Sequence, residues 1–494
     1  MRVLIFHGYL LRGTGSNIYN TNLCRALAAL GHEVHICCQE RHPEDVGLPE
    51  GVTVHNPDIG RILPVYVADA YEGFDAVPFP ELGEAELDHY LEANVSAVAE
   101  LAERVRPDVA LANHLIMGPV VLARALAGRT PYAVKVHGSA LEYTVRPHRE
   151  RFLPYAREGL DGAAGVLVGS RHTAESLWEV MDDAGLPART RLGPPGVDVD
   201  RFAPAEPAQA AEALEGLAAR LDGSATAGWG GEPGAGAALR TMDPRREPIV
   251  SYVGKLIASK GVDLLLAAWP LVVDRVPGAR LCVVGFGTYR DALHAFVDAL
   301  AAGDLPALRA IAAQGREAEG GPPGELTYLA AFLDGLEGER RDAYLRAAPV
   351  AAAGVVFTGR LEHDDLPALL PACRAQVVPS TFPEAFGMVA AEAACCGALP
   401  LSAAHSGLAE VTEVLEEAVD PELRPLLSFE RGPGAVEEIA SKLAAWLLTD
   451  DAERTRGAEA LARTARARFG WEAVAEGVIA TAEGRLDGLP SPTG

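Results

Sequence analysis

Lys255 and Lys260 both fall in the eight residues "GKLIASKG", in a chain that has only four lysines among 43 basic residues. Two flexible ammonium groups just after a strand suit an anion. Lys260 is expected at the start of the next helix, whose N-terminus adds partial positive charge, worth about 0.3–1 kcal/mol to a nearby anion. The plain alternative is a pair of solvated surface lysines, but arginine serves a surface equally well and is this chain's usual choice. The spacing is not that of a G-x-x-x-x-G-K-[ST] phosphate loop. A second constellation is "PSTFPEAFGMVAAEAACCG", residues 379–397. Glu384 follows a strand and a proline. Phe386, Gly387 and Met388 are expected to open a helix whose unbonded amides a ligand can approach. Glu392 stands eight positions beyond Glu384. Fully helical spacing would separate the two by about 12 Å, wider than the roughly 5–9.5 Å between paired glycosidase carboxylates. The pair therefore suits the two ends of one extended ligand, or else two solvated surface glutamates.

Other residues carry weaker signals. His137 follows the strand "YAVKV" and is expected either to face a ligand or to be a satisfied structural group; Lys135 lies two residues earlier on the same strand face. Asn113–His114, after "DVALA", is a candidate for touching a second substrate, and His405–Ser406–Gly407 follows the strand "ALPLSAA". "GTGSNI", with Gly15, lacks the third glycine of a dinucleotide fingerprint, because Ile18 takes its place. "DVD" at 198–200 is a weak metal-binding pair, and no metal is expected.

These residues must be positioned by alternating strands and helices. "RVLIF" is a short apolar run fit for a strand buried on both faces. A glycine-rich turn, the helix "IYNTNLCRALAAL" and the strand "EVHICC" complete one βαβ unit. Strand and helix then alternate to about residue 202, which implies a parallel sheet. From 203 to 247 the texture turns Gly/Ala-rich, with a possible helix "AAEALEGLAARL", and reads as a flexible insertion or linker. The alternation restarts at "PIVSYVG" and continues to about 470, interrupted by a charged helical insertion at 289–350. A C-terminal helix and tail occupy 471–494. The expected architecture is α/β, with two doubly wound parallel-sheet domains facing a central cleft. Ligands of such sheets bind beyond the carboxyl ends of the strands.

The bulk numbers agree with such an architecture. A chain of 494 residues exceeds a single core. Its net charge of −25 repels nucleic acid and anionic membranes, and a phosphorylated substrate then needs a local positive focus. Seven scattered cysteines without C-x-x-C spacing suit a reduced, cytoplasmic chain. No secretory signal or membrane-spanning run is legible.

"VGKLIASKGVDLLL", "VVFTGRL", "PEAFGMVAAEA" and "PPGVDVDRF", with "GTGSNIYNTNLCRALAALGHEV" and "YAVKVHG", resemble a retaining glycosyltransferase of family 4, a group 1 transferase with the GT-B fold. The likeness runs through nearly the whole chain apart from 205–245 and about 289–350. It implies that a sugar moves from a nucleotide-sugar donor to an acceptor hydroxyl with retained configuration and without a metal or other cofactor. Lys255 and Lys260 resemble the pair that neutralises the donor diphosphate, with Lys255 standing where the family commonly has arginine. Glu384 resembles the group facing the transferred sugar and Glu392 the one bonded to the donor ribose. The amides of Phe386, Gly387 and Met388 are expected beside phosphates or sugar hydroxyls, Arg360 beside the base, and Gly15 at a close approach to donor phosphate or acceptor. His137, Glu384 and Lys260 are the expected catalytic groups. Rival readings are a sugar-nucleotide epimerase, a phosphorylase, or a non-catalytic carbohydrate-binding relative. Neither the oligomeric state nor the acceptor is written in these motifs.

Overall fold

The computed structural model describes residues 1–13, 15–66, 73–223 and 231–493. The chain divides into two compact units, Met1–Gly196 with Phe469–Gly494 and Val197–Arg468. The C-terminal helix Trp471–Ala482 thus belongs to the first unit, where it packs beside the helix Gly15–Ala29.

In the first unit the strands are β1 (Arg2–Phe6), β2 (Glu33–Cys37), β3 (Val52–His55), β4 (Ile62–Val65), β5 (Asp75–Pro78), β6 (Val109–Asn113), β7 (Tyr132–Val136), β8 (Gly165–Val168) and β9 (Thr190–Leu192). Seven of them form one parallel sheet in the order β3-β2-β1-β6-β7-β8-β9, and β4 and β5 pair separately. The alternation of β1 explains its depth: Leu4 and Phe6 belong to one core and Val3 and Ile5 to another, on opposite faces. A strand coated by helices on both sides has no solvent face, so its sequence is apolar without interruption.

The second unit repeats this logic with β10 (Ile249–Val253), β11 (Arg280–Val284), β12 (Val355–Gly359), β13 (Ala375–Val378), β14 (Leu399–Ala403) and β15 (Ser428–Phe429). All are parallel, in the order β12-β11-β10-β13-β14-β15. The helix Val262–Arg275 follows β10 and packs against the helices Gly338–Ala353 and Ala435–Leu448. Eleven of its fourteen residues are buried, which is why its apolar pattern runs almost all the way round instead of in one stripe.

The insertion at 289–350 contributes the helices Arg290–Ala302, Leu305–Gln314, Thr327–Asp334 and most of Gly338–Ala353. The stretch read as flexible at 203–247 includes a 17-residue helix, Pro207–Gly223, that buries Leu214, Leu217 and Ala218. The possible helix "AAEALEGLAARL" lies within it, and its apolar stripe is made largely of alanine and leucine. The central part of that stretch, 224–230, lies outside the described residues.

Each sheet has one point where the strand order reverses, beside β1 and β6 in the first and beside β10 and β13 in the second. Chains leaving neighbouring strands at such a point turn to opposite faces, so a crevice opens beyond their carboxyl ends. Both expected clusters of chemistry lie at these two points.

Candidate functional site

In the second unit, the loops after β10 and β13 are drawn together by backbone. Thr381 donates its N–H to the Ser259 carbonyl at 2.9 Å. Gly261 adopts φ +66°, and a Cβ there would lie 2.0 Å from the Pro379 carbonyl oxygen, so no other residue fits between the two loops. Ala258–Lys260 forms a single 3₁₀ turn, and the helix begins at Val262 with Gly261 as its cap. Lys260 therefore ends the turn instead of opening the helix, a correction to the sequence reading. The reason is the left-handed backbone at Gly261, which breaks the helical run.

That turn directs Lys260 onto the other loop. Its Nζ donates to Glu384 Oε1, and the same oxygen accepts from the Ser380 hydroxyl. Glu384 is held by its backbone as well: its N–H donates to Ser406 Oγ at 2.9 Å, and its carbonyl accepts from the Gly407 N–H at 2.9 Å. His405 donates from Nε2 to the Ser380 carbonyl at 2.8 Å. A Cβ at Gly407 would come within 2.7 Å of the Ala385 and Phe386 backbone. The triplet His405–Ser406–Gly407, whose role the sequence left open, is thus the brace behind the Glu384 loop. The helix after that loop is Met388–Cys395, capped by Gly387, so Phe386 and Gly387 precede it and only Met388 belongs to it.

Lys255 directly follows Gly254 at the end of β10, is half-buried, and accepts at its carbonyl the Tyr252 hydroxyl at 2.8 Å. Gly285 and Gly287, after β11, each pass so close to the carbonyls of Gly254 and Leu256 that a Cβ would lie 1.9 and 2.2 Å away. Arg360, after β12, pairs with Glu362 at 2.6 Å and lies over the Phe286 ring at 5.8 Å. Glu392 is 2 % exposed, and its Oε1 accepts from His363 Nε2 at 2.8 Å. Burial alone would push the His363 pKa down, but the Glu392 carboxylate outweighs it, and the net effect is upward. The helix spans only the second half of the Glu384–Glu392 interval, so the fully helical spacing considered for that pair does not apply.

The switch point of the first unit is built from different groups. His137 Nε2 donates to Asn113 Oδ1 at 2.8 Å. Asn113 and Asn20 exchange amide hydrogen bonds at 2.8 and 3.1 Å, and Asn20 Nδ2 reaches His7 Nδ1 at 3.1 Å. His7 in turn donates from Nε2 to Asn17 Oδ1 at 2.9 Å. His114, at φ +68°, sits between the rings of Tyr66 (4.7 Å) and His137 (4.9 Å), and neither of its ring nitrogens has a hydrogen-bond partner among the described residues. Burial drives the His7 pKa down to about 4 and those of His114 and His137 well below the ordinary value. All three imidazoles are neutral near pH 7.

Lys135 is buried beneath this cluster, donating to the Gly193 carbonyl at 2.5 Å and lying 5.4 Å from the Tyr19 ring centre. Gly15 is the first residue of its helix, and a Cβ there would meet nothing within 4 Å. Asp198 accepts the Arg201 N–H at 3.3 Å. Among the described residues no three His, Cys, Asp or Glu side chains are placed to hold a metal ion, and no helix is long and apolar enough to cross a membrane.

Sequence reasoning did not find His7, Asn17, Asn20, His363 or Ser380. His7 had a legible signal: "IFHG" repeats the strand–His–Gly texture of "KVHG", in which His137 was noticed. The asparagines lie inside a helix, where nothing in the pattern marks them.

Two doubly wound parallel sheets, each with functional groups at its switch point, are the frame of the GT-B glycosyltransferases. Known proteins agree. Residues 14–191 match a glycosyl transferase 4-like domain and residues 339–456 the glycosyl transferases group 1 domain. The chain belongs to this glycosyltransferase family. It is 27 % identical to the D-inositol 3-phosphate glycosyltransferase of Frankia alni over 480 residues, covering 94 % of this chain and 93 % of that one. Among solved structures it resembles sucrose-phosphate synthase from Thermosynechococcus elongatus, with a TM-score of 0.59 and 20 % identity over 97 % of each chain. It also resembles Anabaena HepE, solved in complex with UDP and glucose, with a TM-score of 0.58 and 17 % identity, covering 98 % of this chain and 99 % of that one.

Proposed function

We propose that this glycosyltransferase moves a sugar from a nucleotide-diphosphate sugar to an acceptor hydroxyl with retention of configuration and without a metal. The observation that carries the reading is the placement of Lys260, Glu384 and the start of the helix Met388–Cys395 at the switch point of the second sheet. The diphosphate lies against Lys255, Lys260 and the amides of Phe386, Gly387 and Met388. As the glycosidic bond breaks, charge accumulates on the leaving diphosphate. Ammonium groups and amides fixed beforehand stabilise that charge without reorganising. Arg360 lies on the base side and Glu392 on the ribose side.

The Glu384 carboxylate is already engaged by Lys260 and Ser380, which supports a role in orienting the amine and the sugar instead of attacking carbon. Same-face displacement assisted by the leaving phosphate follows. UDP in the HepE structure and D-inositol 3-phosphate in the name of the Frankia relative support a nucleoside-diphosphate donor and a polyol-type acceptor. Acceptor contacts are assigned to the first unit, with neutral His137 as a hydrogen-bonding partner of a reacting hydroxyl. We place the protein in the cytoplasm, where nucleotide sugars are made.

The test is a panel of nucleotide sugars, read as donor hydrolysis, acceptor-dependent transfer and thermal shift. Donor-dependent stabilisation that Lys260→Ala removes is the expected result. An undiminished shift in that variant refutes the diphosphate assignment.

A further inference from the structure

The helical insertion reaches back to the turn that carries Lys260. Gly315–Glu319 is a short 3₁₀ segment inside it, closed tightly on itself. Gly315 adopts φ +55°, a Cβ there would lie 1.8 Å from the Gly324 carbonyl oxygen, and Gly321 donates its N–H to the Arg316 carbonyl at 2.9 Å. This closure presents one side chain. Glu319 Oε2 accepts the backbone N–H of Ala258 at 2.7 Å, while Oε1 accepts from Arg316 Nε at 3.0 Å. The Glu319 side chain is only 7 % exposed, and Ala258 is buried.

Ala258 is the first residue of the turn Ala258–Lys260, and no side chain of that turn's own cap residue bonds its N–H groups. An open amide at such an end is satisfied from outside or not at all. The bond comes from 61 positions along the chain, from a segment that the family-like motifs do not cover. Charge-assisted bonds of this kind are stronger than neutral ones and fix geometry accordingly.

We infer that Glu319 is a positioning residue for donor binding: its carboxylate holds the Ala258–Lys260 turn so that the Lys260 amine stays directed at the diphosphate site. The inference rests on the diphosphate assignment above. It gives the insertion a task that its helices alone do not reveal. The carboxylate acts on the phosphate site through the Ala258–Lys260 backbone and not by direct contact. An amide with the same shape keeps the acceptor oxygen.

The experiment compares wild type, Glu319→Ala, Glu319→Gln and Lys260→Ala. Three readouts are used: calorimetric Kd for UDP, GDP and ADP, donor and acceptor KM with kcat, and hydrogen exchange of peptides spanning 256–261. Glu319→Ala is expected to weaken the best-bound nucleoside diphosphate and raise donor KM about ten-fold. Acceptor KM should not move, and exchange at 256–261 should accelerate. Glu319→Gln should recover most of the affinity. Ala258→Pro supplies an independent arm, because proline removes the N–H while Ile257, at φ −134° and ψ 152°, already has the extended backbone that precedes proline. Combined with Glu319→Ala, it should add little to either single effect.

If Glu319→Ala binds nucleotide and exchanges like wild type while Lys260→Ala loses binding, the positioning role is wrong and the donor site stands. If Lys260→Ala also binds as wild type, the donor site itself is wrong. If none of the three nucleotides binds wild type, the exchange at 256–261 alone decides whether Glu319 holds the turn. Lower thermal stability of Glu319→Ala with unchanged donor KM overturns the inference in favour of a merely structural bond.

Discussion

The two switch points share a topology and differ in nearly everything placed on it. In the second unit the chain sets charged side chains there and on the loop after β12, and they are paired: Lys260 with Glu384 and Arg360 with Glu362, while His363 bonds the Glu392 carboxylate. In the first unit it sets neutral imidazoles and carboxamides there, linked through Asn20 and Asn113, with burial holding every histidine uncharged. One fold thus supplies two crevices of opposite electrostatic character. Charged groups suit a diphosphate whose charge grows during reaction. Neutral donor–acceptor groups suit hydroxyls, which are discriminated by hydrogen-bond geometry and not by Coulomb attraction. The buried ionisable groups follow the same division in mirror image. The first unit hides a base, Lys135, with its pKa pushed down to about 7 by burial. The second hides an acid, Asp263, with its pKa pushed up to about 7 by burial.

The largest expected effect contrasts one residue from each crevice. Lys260→Ala should lower kcat by about 10²–10³-fold, the usual cost of removing one preorganised donor to a developing charge, and should weaken nucleoside-diphosphate binding. His137→Ala should lower kcat while leaving calorimetric nucleotide affinity unchanged. Equal loss of nucleotide affinity in both variants would erase the distinction.

Next comes Gly261→Ala. A left-handed backbone and a Cβ 2.0 Å from the Pro379 oxygen should cost about 2–4 kcal/mol of stability, since backbone strain and forced separation of two loops add. Chemical denaturation would read it. The matching change in the first unit, Gly15→Ala, meets open space and should stay within about 0.5 kcal/mol of wild type.

The two buried groups give smaller effects of opposite sign with pH. The folded pKa of Lys135, about 7, lies below its ordinary 10.5. Between those values the unfolded chain holds a proton that the folded chain has lost, so stability rises with pH, by at most about 1.4 kcal/mol per unit. Lys135→Met should flatten the curve of melting temperature against pH above 7. The folded pKa of Asp263, about 7, lies above its ordinary 3.8. Here the folded chain holds the extra proton, so stability falls as pH rises from about 4 to 7. Asp263→Asn should flatten that limb and leave the alkaline one unchanged. If either substitution alters the other's limb, the two titrations are not independent.

Much of this arrangement is written locally in the sequence. Apolar runs such as "RVLIF" and "PIVSYV" mark strands buried on both faces, and alternation with helices leaves a parallel sheet as the economical solution. The rule that ligands meet strand ends singled out Lys255, Lys260, Glu384 and His137, and the structure sets the first three at the switch point of the second sheet and His137 after β7, bonded to Asn113 at the switch point of the first. Short-range punctuation was legible where it acts within a few residues, but the left-handed break at Gly261, set against the distant Pro379 carbonyl, was not.

What was hidden depends on contacts between distant segments. Nothing near Glu319 announces that it caps a turn 61 positions away, and nothing near His405 announces a brace behind Glu384. Asn17 and Asn20 look like ordinary helical polar residues until the sheet order brings β6 beside β1. The sequence by itself determined the strands, the helices and the residue types available at the strand ends, because those follow from local periodicity and backbone sterics. Only the tertiary structure decided which charges pair and which histidines lose their protons, because ion pairing and desolvation depend on distances through space that chain order does not contain.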